Sequence, residues 1–415
     1  MSTSPTTDFD TAALDPQRSA APNTGFSSGI KPLLICLPSM TSEAAGAVMA
    51  EIANTFRDEA ILVATPDQDT EQPASSGLPQ LVPYTQPRGE GAWVLNALDF
   101  VSAAHLADQR GASGVLLLGT DAASLAPQAL RAMQTGLAAG ADLALPRFHT
   151  APDDGLVNSA LLYPLTRALF GADIRFPLPL DVGLSPRMLT RLASTAQRLG
   201  TQGESSLIWP VAEASIAGFA VRQVDGGARV LPQPQEGDLS ELFPIVTASL
   251  FADVEVKAAY WQRARAMPAA RPAPLNRHSF LPSAEAAEEI RPLIEGYRIA
   301  FDNLREIWSL VLPPQSLLAL KKLSVSSTES FVYPPGLWAR TVYDFALAFR
   351  MRTLNRGHLL GALTPLYLAW VASFLQSSAG DAKAGMELLE VTATAFELEK
   401  PYLVSRWRWP DRFNP

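Results

Sequence analysis

Along the first part of the chain, short unbroken apolar runs alternate with longer stretches whose apolar residues recur at helical spacing. The runs at 32–38, 60–64, 78–84, 115–118, 141–146 and 219–224 predict strands. A run apolar on both faces is the mark of a strand buried within a parallel sheet. Helices are expected over 39–57, 92–108, 128–135, 156–170, 185–199 and 207–217, with Gly136 and Gly171 as stops. Strands alternating with helices at this spacing argue an α/β fold with a doubly wound, mostly parallel sheet. From Ser283 onward the strand pattern fades. Ile290, Ile294, Tyr297, Phe301, Leu304 and Trp308 trace one helical face, and the 338–349, 359–374 and 386–404 stretches repeat the pattern. This predicts a helical bundle, with helices near 240–265 bridging the two parts and no internal repeat.

The 115–118 strand runs into Gly119-Thr120-Asp121, with a helix opening at Ser124 or Pro127. Ligands of open α/β sheets sit beyond the carboxyl ends of the strands, so Asp121 is a candidate site residue as well as a candidate turn residue.

Composition narrows the classes. With 415 residues the chain exceeds one ordinary core, which predicts two domains. The 47% hydrophobic and 18% charged residues are those of a globular protein. A net charge of -8 without a basic run argues against nucleic acid. Cys36 is the single cysteine, which excludes an intrachain disulfide, and the four histidines show no zinc spacing. No unbroken apolar run reaches the roughly 18 residues of a membrane span. The first 29 residues have no signal-peptide pattern and read as a Ser/Thr/Ala/Pro-rich disordered tail, so a cytoplasmic protein is expected.

Three segments carry a resemblance. Asp154-Gly155 through Asn158, Tyr163-Pro164, Arg167 and Gly171 form one; Trp338 through Tyr343-Asp344 to Phe349 form the second; Asn355-Arg356, His358, Thr364-Pro365 and Tyr367 form the third. Together they resemble the glucosylglycerate and mannosylglycerate synthase-like glycosyltransferases, over about residues 32–407. The resemblance implies a GT-A, Rossmann-like, mostly parallel sheet domain followed by a C-terminal helical domain. The expected division is a tail at 1–29, a nucleotide-sugar-binding-like domain at 30–267, a Pro-rich linker at 268–282 and a helical domain at 283–415. It implies retaining hexosyl transfer from a nucleotide-diphosphate sugar to a small acid such as glycerate, with Mg²⁺ or Mn²⁺ bridging the diphosphate. Donor binding falls to Pro38, Ser39, Arg88 and Asp121, and acceptor binding to Arg147, Asp154, Asn158 and Asp181, with Asp121 as the metal ligand. A homodimer is a further implication.

The chain departs from that family at charged positions. The strand-end Asp-x-Asp is Gly119-Thr120-Asp121, with half the acid; the later histidine is Leu231, which has no lone pair to give. Arg88-Gly89-Glu90-Gly91 carries an acid where relatives have lysine, and Pro179-Leu180-Asp181 replaces Gly-Gly-Asp. Leu207-Ile208-Trp209 stands for Asp-Ile-Trp, with Glu204 three residues before it. Arg147 and His149 stand near Thr150, where relatives place an arginine for the acceptor. His358 is a structural histidine by its place at a helix start, Tyr343 and Asp344 suit hydrogen bonds between helices, and the tryptophans at 308, 338 and 370 suit an apolar core. Two readings stay open: an enzyme with altered metal dependence, in which Arg88 or Arg229 supplies the positive charge, and a silent homologue that binds or regulates.

Overall fold

The computed structural model describes residues 31–38, 42–57, 59–66, 71–73, 79–84, 94–120, 122–200, 207–229, 239–264, 284–378 and 381–410. Its sheet half is built from β1 (Leu33–Cys36), α1 (Ser42–Thr55), β2 (Ile61–Thr65), β3 (Gln80–Pro83), α2 (Ala97–Arg110), β4 (Gly114–Leu118), α3 (Pro127–Ala138), β5 (Leu143–His149), α4 (Tyr163–Phe170), β6 (Asp181–Leu184), α5 (Pro186–Gly200), α6 (Pro210–Ala217) and β7 (Val221–Ala228). The remainder is helical: α7 (Leu239–Val256), α8 (Ala258–Trp261), α9 (Ala284–Ser309), α10 (Pro314–Ser324), α11 (Pro335–Met351), α12 (Arg356–Ser378) and α13 (Ala382–Arg408). The α/β class with a C-terminal helical region is therefore the one observed.

The strands form one sheet in the order β3-β2-β1-β4-β6-β5-β7. β6 runs antiparallel to both β4 and β5, and the other pairings are parallel. Every residue of β1, β2 and β4 is buried, as expected of strands covered on both faces.

Several boundaries differ from the sequence pattern, each for a local reason. α2 opens at Ala97 rather than 92 because Asn96 closes a capping box: its side chain accepts from the Leu98 and Asp99 amides, and Asp99 accepts the Asn96 amide at 2.7 Å. α3 runs on through Gly136, where a Cβ would meet Ala144 at 3.4 Å and Val224 at 3.5 Å, so glycine there serves close packing rather than termination. α6 starts at Pro210, a residue suited to a first helical turn, while Leu207 makes a bridge to Asn96. The sequence pattern does not predict β6, since a four-residue Asp-Val-Gly-Leu run gives no periodic signal.

The predicted face of α9 is buried at Ile290, Ile294, Tyr297, Phe301 and Trp308. The Trp338 indole of α11 donates to the Ala160 carbonyl at 2.7 Å, and one apolar cluster runs from Leu33 to Trp407. α12 is long and apolar enough to cross a membrane by length and composition, but 67% of its apolar window is buried against the rest of the protein, as in a core helix.

The amino edge of the sheet is fastened by Asp142, which is 2% exposed. Its carboxylate accepts from the Ser185 hydroxyl and the Ala220 amide, both at 2.9 Å, and from the Arg187 guanidinium. Arg187 first, with the other donors, holds this carboxyl at about 2, below its ordinary 3.8. A group depressed on folding stabilises the protein above its unfolded pKa and loses that stability as pH falls through the folded one. Acidification from about pH 4 to 2 is expected to remove about 1–2 kcal/mol, discounted for the exposure of Arg187. Asp142→Asn should lack this acid-sensitive component in denaturant unfolding; an unchanged acid response would show that the stability comes from elsewhere.

Candidate functional site

The chain moves outward from β1 to β2 and β3, then returns to lay β4 on the other side of β1. This reversal opens a crevice beyond the carboxyl ends of β1 and β4, the place where open α/β sheets take their ligands. Leu37 still pairs with the Ala64 carbonyl at 2.9 Å, and Pro38 follows it at that edge, buried. Gly119 and Thr120 leave β4 at the same edge. Ser39 and Asp121, next in the chain, lie outside the described residues, as do Arg88, Glu90, Glu204 and Leu231.

What surrounds the β4 exit is a buried ion pair. Asp181 opens β6 opposite Leu118. Its Oδ1 accepts the Gly119 amide at 3.0 Å and Arg229 Nη2 at 3.4 Å, and its Oδ2 accepts from Arg229 Nε at 3.1 Å and lies 3.0 Å from Nη2. Both side chains are 0% exposed. Arg229 Nη1 donates to the Ser124 hydroxyl, in the 3₁₀ turn Ala122–Ser124. The pair thus holds both flanks of position 121, the carboxylate at Gly119 and the guanidinium at Ser124. Gly119 has no room for a side chain: a Cβ would lie 2.6 Å from the Leu180 carbonyl oxygen. Arg229 also lies 5.9 Å from the Phe148 ring centroid, and that ring packs on Phe176.

This arrangement bears on the metal implied by the sequence. A hard divalent cation needs several oxygen ligands with free lone pairs. Among the described residues no group of three His, Cys, Asp or Glu side chains is placed to hold one. Asp181, the described acid at this edge, is engaged by a guanidinium and an amide. Leu207 is buried in the apolar core, and the adjoining Trp209 indole donates to Ser249 at 3.1 Å. Asp181 is thus engaged by a cation of the protein, and Asp121 lies outside the described residues.

Arg147 is exposed near the carboxyl end of β5, beside a register shift against β7. His149 pairs with Asp225 at 3.1 Å, both exposed. Asp154 accepts the Ala151 amide at 3.1 Å and caps an exposed turn. Asn158 is buried at the start of a π-helical turn, Asn158–Leu162, an irregularity frequent at functional sites. Its Nδ2 donates to the Arg175 carbonyl at 2.8 Å, whereas its Oδ1 has no hydrogen-bond partner. Nothing in the sequence marks Arg175. It belongs to the irregular segment before β6, where no motif or period marks it, and it stacks on Tyr163 at 4.8 Å.

Residues of the second and third resembling segments make contacts between and at the ends of helices. His358 is exposed at the start of α12, where Asn355 caps the Gly357 amide at 2.9 Å. Tyr343 donates to the Phe396 carbonyl at 2.7 Å, and Asp344 accepts from Tyr402 and pairs with Arg406 at 3.0 Å, both tying α11 to α13.

No family model matches the sequence, and no curated protein does. Among solved structures the chain is similar to glucosyl-3-phosphoglycerate synthase from Mycobacterium tuberculosis. In a complex with Mn²⁺, UDP and glucosyl-3-phosphoglycerate the identity is 14%, over 54% of this chain and 80% of that one, with a TM-score of 0.34. In a complex with Mn²⁺ and UDP-glucose it is 18%, over 54% and 79%, with a TM-score of 0.33. A mycobacterial protein with no further description gives 14%, over 54% and 74%, with a TM-score of 0.35.

Proposed function

We propose that this chain is a glycosyltransferase-like protein that takes a nucleotide-diphosphate sugar at the carboxyl ends of β1 and β4. The observation that carries the reading is the reversal of strand order between β1 and β4, whose carboxyl ends run into Pro38 and Gly119-Thr120. The sequence resemblance adds the chemistry: hexosyl transfer to a small acid such as glycerate, received on the side of Arg147, Asp154 and Asn158. Ser39, Arg88 and Asp121 complete the donor side in this reading.

A second reading, a silent homologue that binds the nucleotide sugar without turning it over, is favoured by the Asp181–Arg229 pair. An acid neutralised in this way neither ligates a metal nor acts as a base, and each lost contact of about 1.4 kcal/mol costs tenfold in rate.

The test is a panel of uridine, guanosine and adenosine diphosphate sugars, with Mn²⁺ or with EDTA, read by thermal shift and by nucleotide release in the presence of glycerate. One nucleotide sugar is expected to raise the melting temperature to the same extent in EDTA as in Mn²⁺. Nucleotide release that requires glycerate identifies the transferase; stabilisation without release identifies the silent binder. Absence of stabilisation by every nucleotide sugar overturns both.

A further inference from the structure

At the seam between α4 and α13 two guanidiniums face one exposed carboxylate. Arg167 and Arg175 have side chains only 11% and 10% exposed, whereas Glu390 is 53% exposed. Burying a guanidinium is costly unless a charged or hydrogen-bonding partner goes with it. Arg167 has such a partner, since its Nε donates at 3.1 Å to Glu397, which is 1% exposed. Arg175 has none of that quality. Its Nη1 makes no hydrogen bond and lies 3.7 Å from Glu390, and its Nη2 reaches only the Met386 sulfur at 3.8 Å. Burial pushes the Arg175 pKa down, opposed by Tyr163 and Glu390 and reinforced by the like charge of Arg147.

Glu390 itself is only half satisfied. Its Oε2 accepts from Arg167 at 2.7 Å. Its Oε1 lies 3.2 Å from the Tyr163 hydroxyl, but that hydroxyl has a single hydrogen and Asp173 accepts it at the shorter distance of 2.7 Å. The second oxygen of Glu390 therefore faces an engaged phenol and a guanidinium beyond hydrogen-bond range. A planar guanidinium fork is matched to carboxylate and phosphate oxygens.

We propose that Arg167 and Arg175 form a binding site for a small oxyanion, a carboxylate or a phosphate, which the Glu390 carboxylate fills as an imperfect internal occupant. The site does not depend on nucleotide-sugar binding, so either reading can fail without the other.

The experiment titrates the full chain with inorganic phosphate, and separately with glycerate, at constant ionic strength, by calorimetry. It compares wild type with Glu390→Ala and Glu387→Ala. Glu387 is exposed on the same helix, so its removal makes the same change in net charge. Glu390→Ala is expected to bind phosphate at least about tenfold more tightly than wild type, with Glu387→Ala unchanged. A gain for glycerate as well assigns the site to carboxylates; a gain for phosphate alone assigns it to phosphates. Adding Arg175→Gln to Glu390→Ala should erase the gain. No gain in Glu390→Ala, an equal gain in Glu387→Ala, or a gain that survives Arg175→Gln overturns the proposal.

Discussion

Arg229→Met is expected to destabilise the protein by about 3–5 kcal/mol, because it strands the Asp181 carboxylate in a site with no access to water. The Gly119 amide, a neutral donor at 3.0 Å, does not replace the lost positive charge. Methionine fills much of the vacated volume, so the loss arises from the uncompensated charge rather than from a cavity. Adding Asp181→Asn removes the charge and keeps an oxygen for the Gly119 amide. The double variant should therefore recover most of the stability, to within about 1–2 kcal/mol of wild type. Urea unfolding of the two single variants and the double variant measures this as a coupling between sites 48 residues apart in sequence. Additive losses would mean that the two side chains do not act as a pair. The same cycle reports on the crevice, since the pair also fastens Gly119 and Ser124 on either side of position 121.

The second large effect is at Trp338. The side chain is fully buried, packs edge-on against Tyr333 at 5.7 Å and lies 6.3 Å from Trp370. Trp338→Ala should cost about 3–5 kcal/mol through lost contacts and an unfilled cavity. Trp338→Phe keeps a ring but leaves the Ala160 carbonyl without its donor, for about 1–2 kcal/mol plus the smaller packing loss. Ala160 belongs to the π-helical turn that begins at Asn158, so this one indole joins the helical half to the segment carrying a candidate acceptor residue. Denaturant unfolding of both variants ranks the terms, and an equal loss in the two would show that the hydrogen bond outweighs the ring.

Elements whose apolar residues had only one way to be buried were legible in the sequence. β1, β2 and β4 are continuous apolar runs, and the α9 stripe keeps helical spacing over its length. β6 was hidden because an acid and a glycine fill half of its four positions, the acid being buried only through partners that the topology supplies. The π-helical turn within 156–170 was hidden because one wider turn scarcely alters an apolar stripe. At the site, the strand-end positions could be read from the β1 and β4 patterns, whereas the Asp181–Arg229 pair could not, since its members meet only after β6 reverses. Arg175 sits between elements, where a charged side chain reads as solvated until the fold buries it.

The reversal of β6 has a consequence for how the chain tolerates changes of length. Its six companions in the sheet end at the carboxyl edge, but β6 begins at that edge and releases Ser185 at the opposite rim, beside Asp142. Residues inserted after Leu184 would accumulate at the amino edge, whereas residues inserted between Gly171 and Leu180 would enter at the carboxyl edge, where open α/β sheets take their ligands. The segment ahead of β6 is thus a place where the protein can remodel its mouth while leaving the sheet untouched.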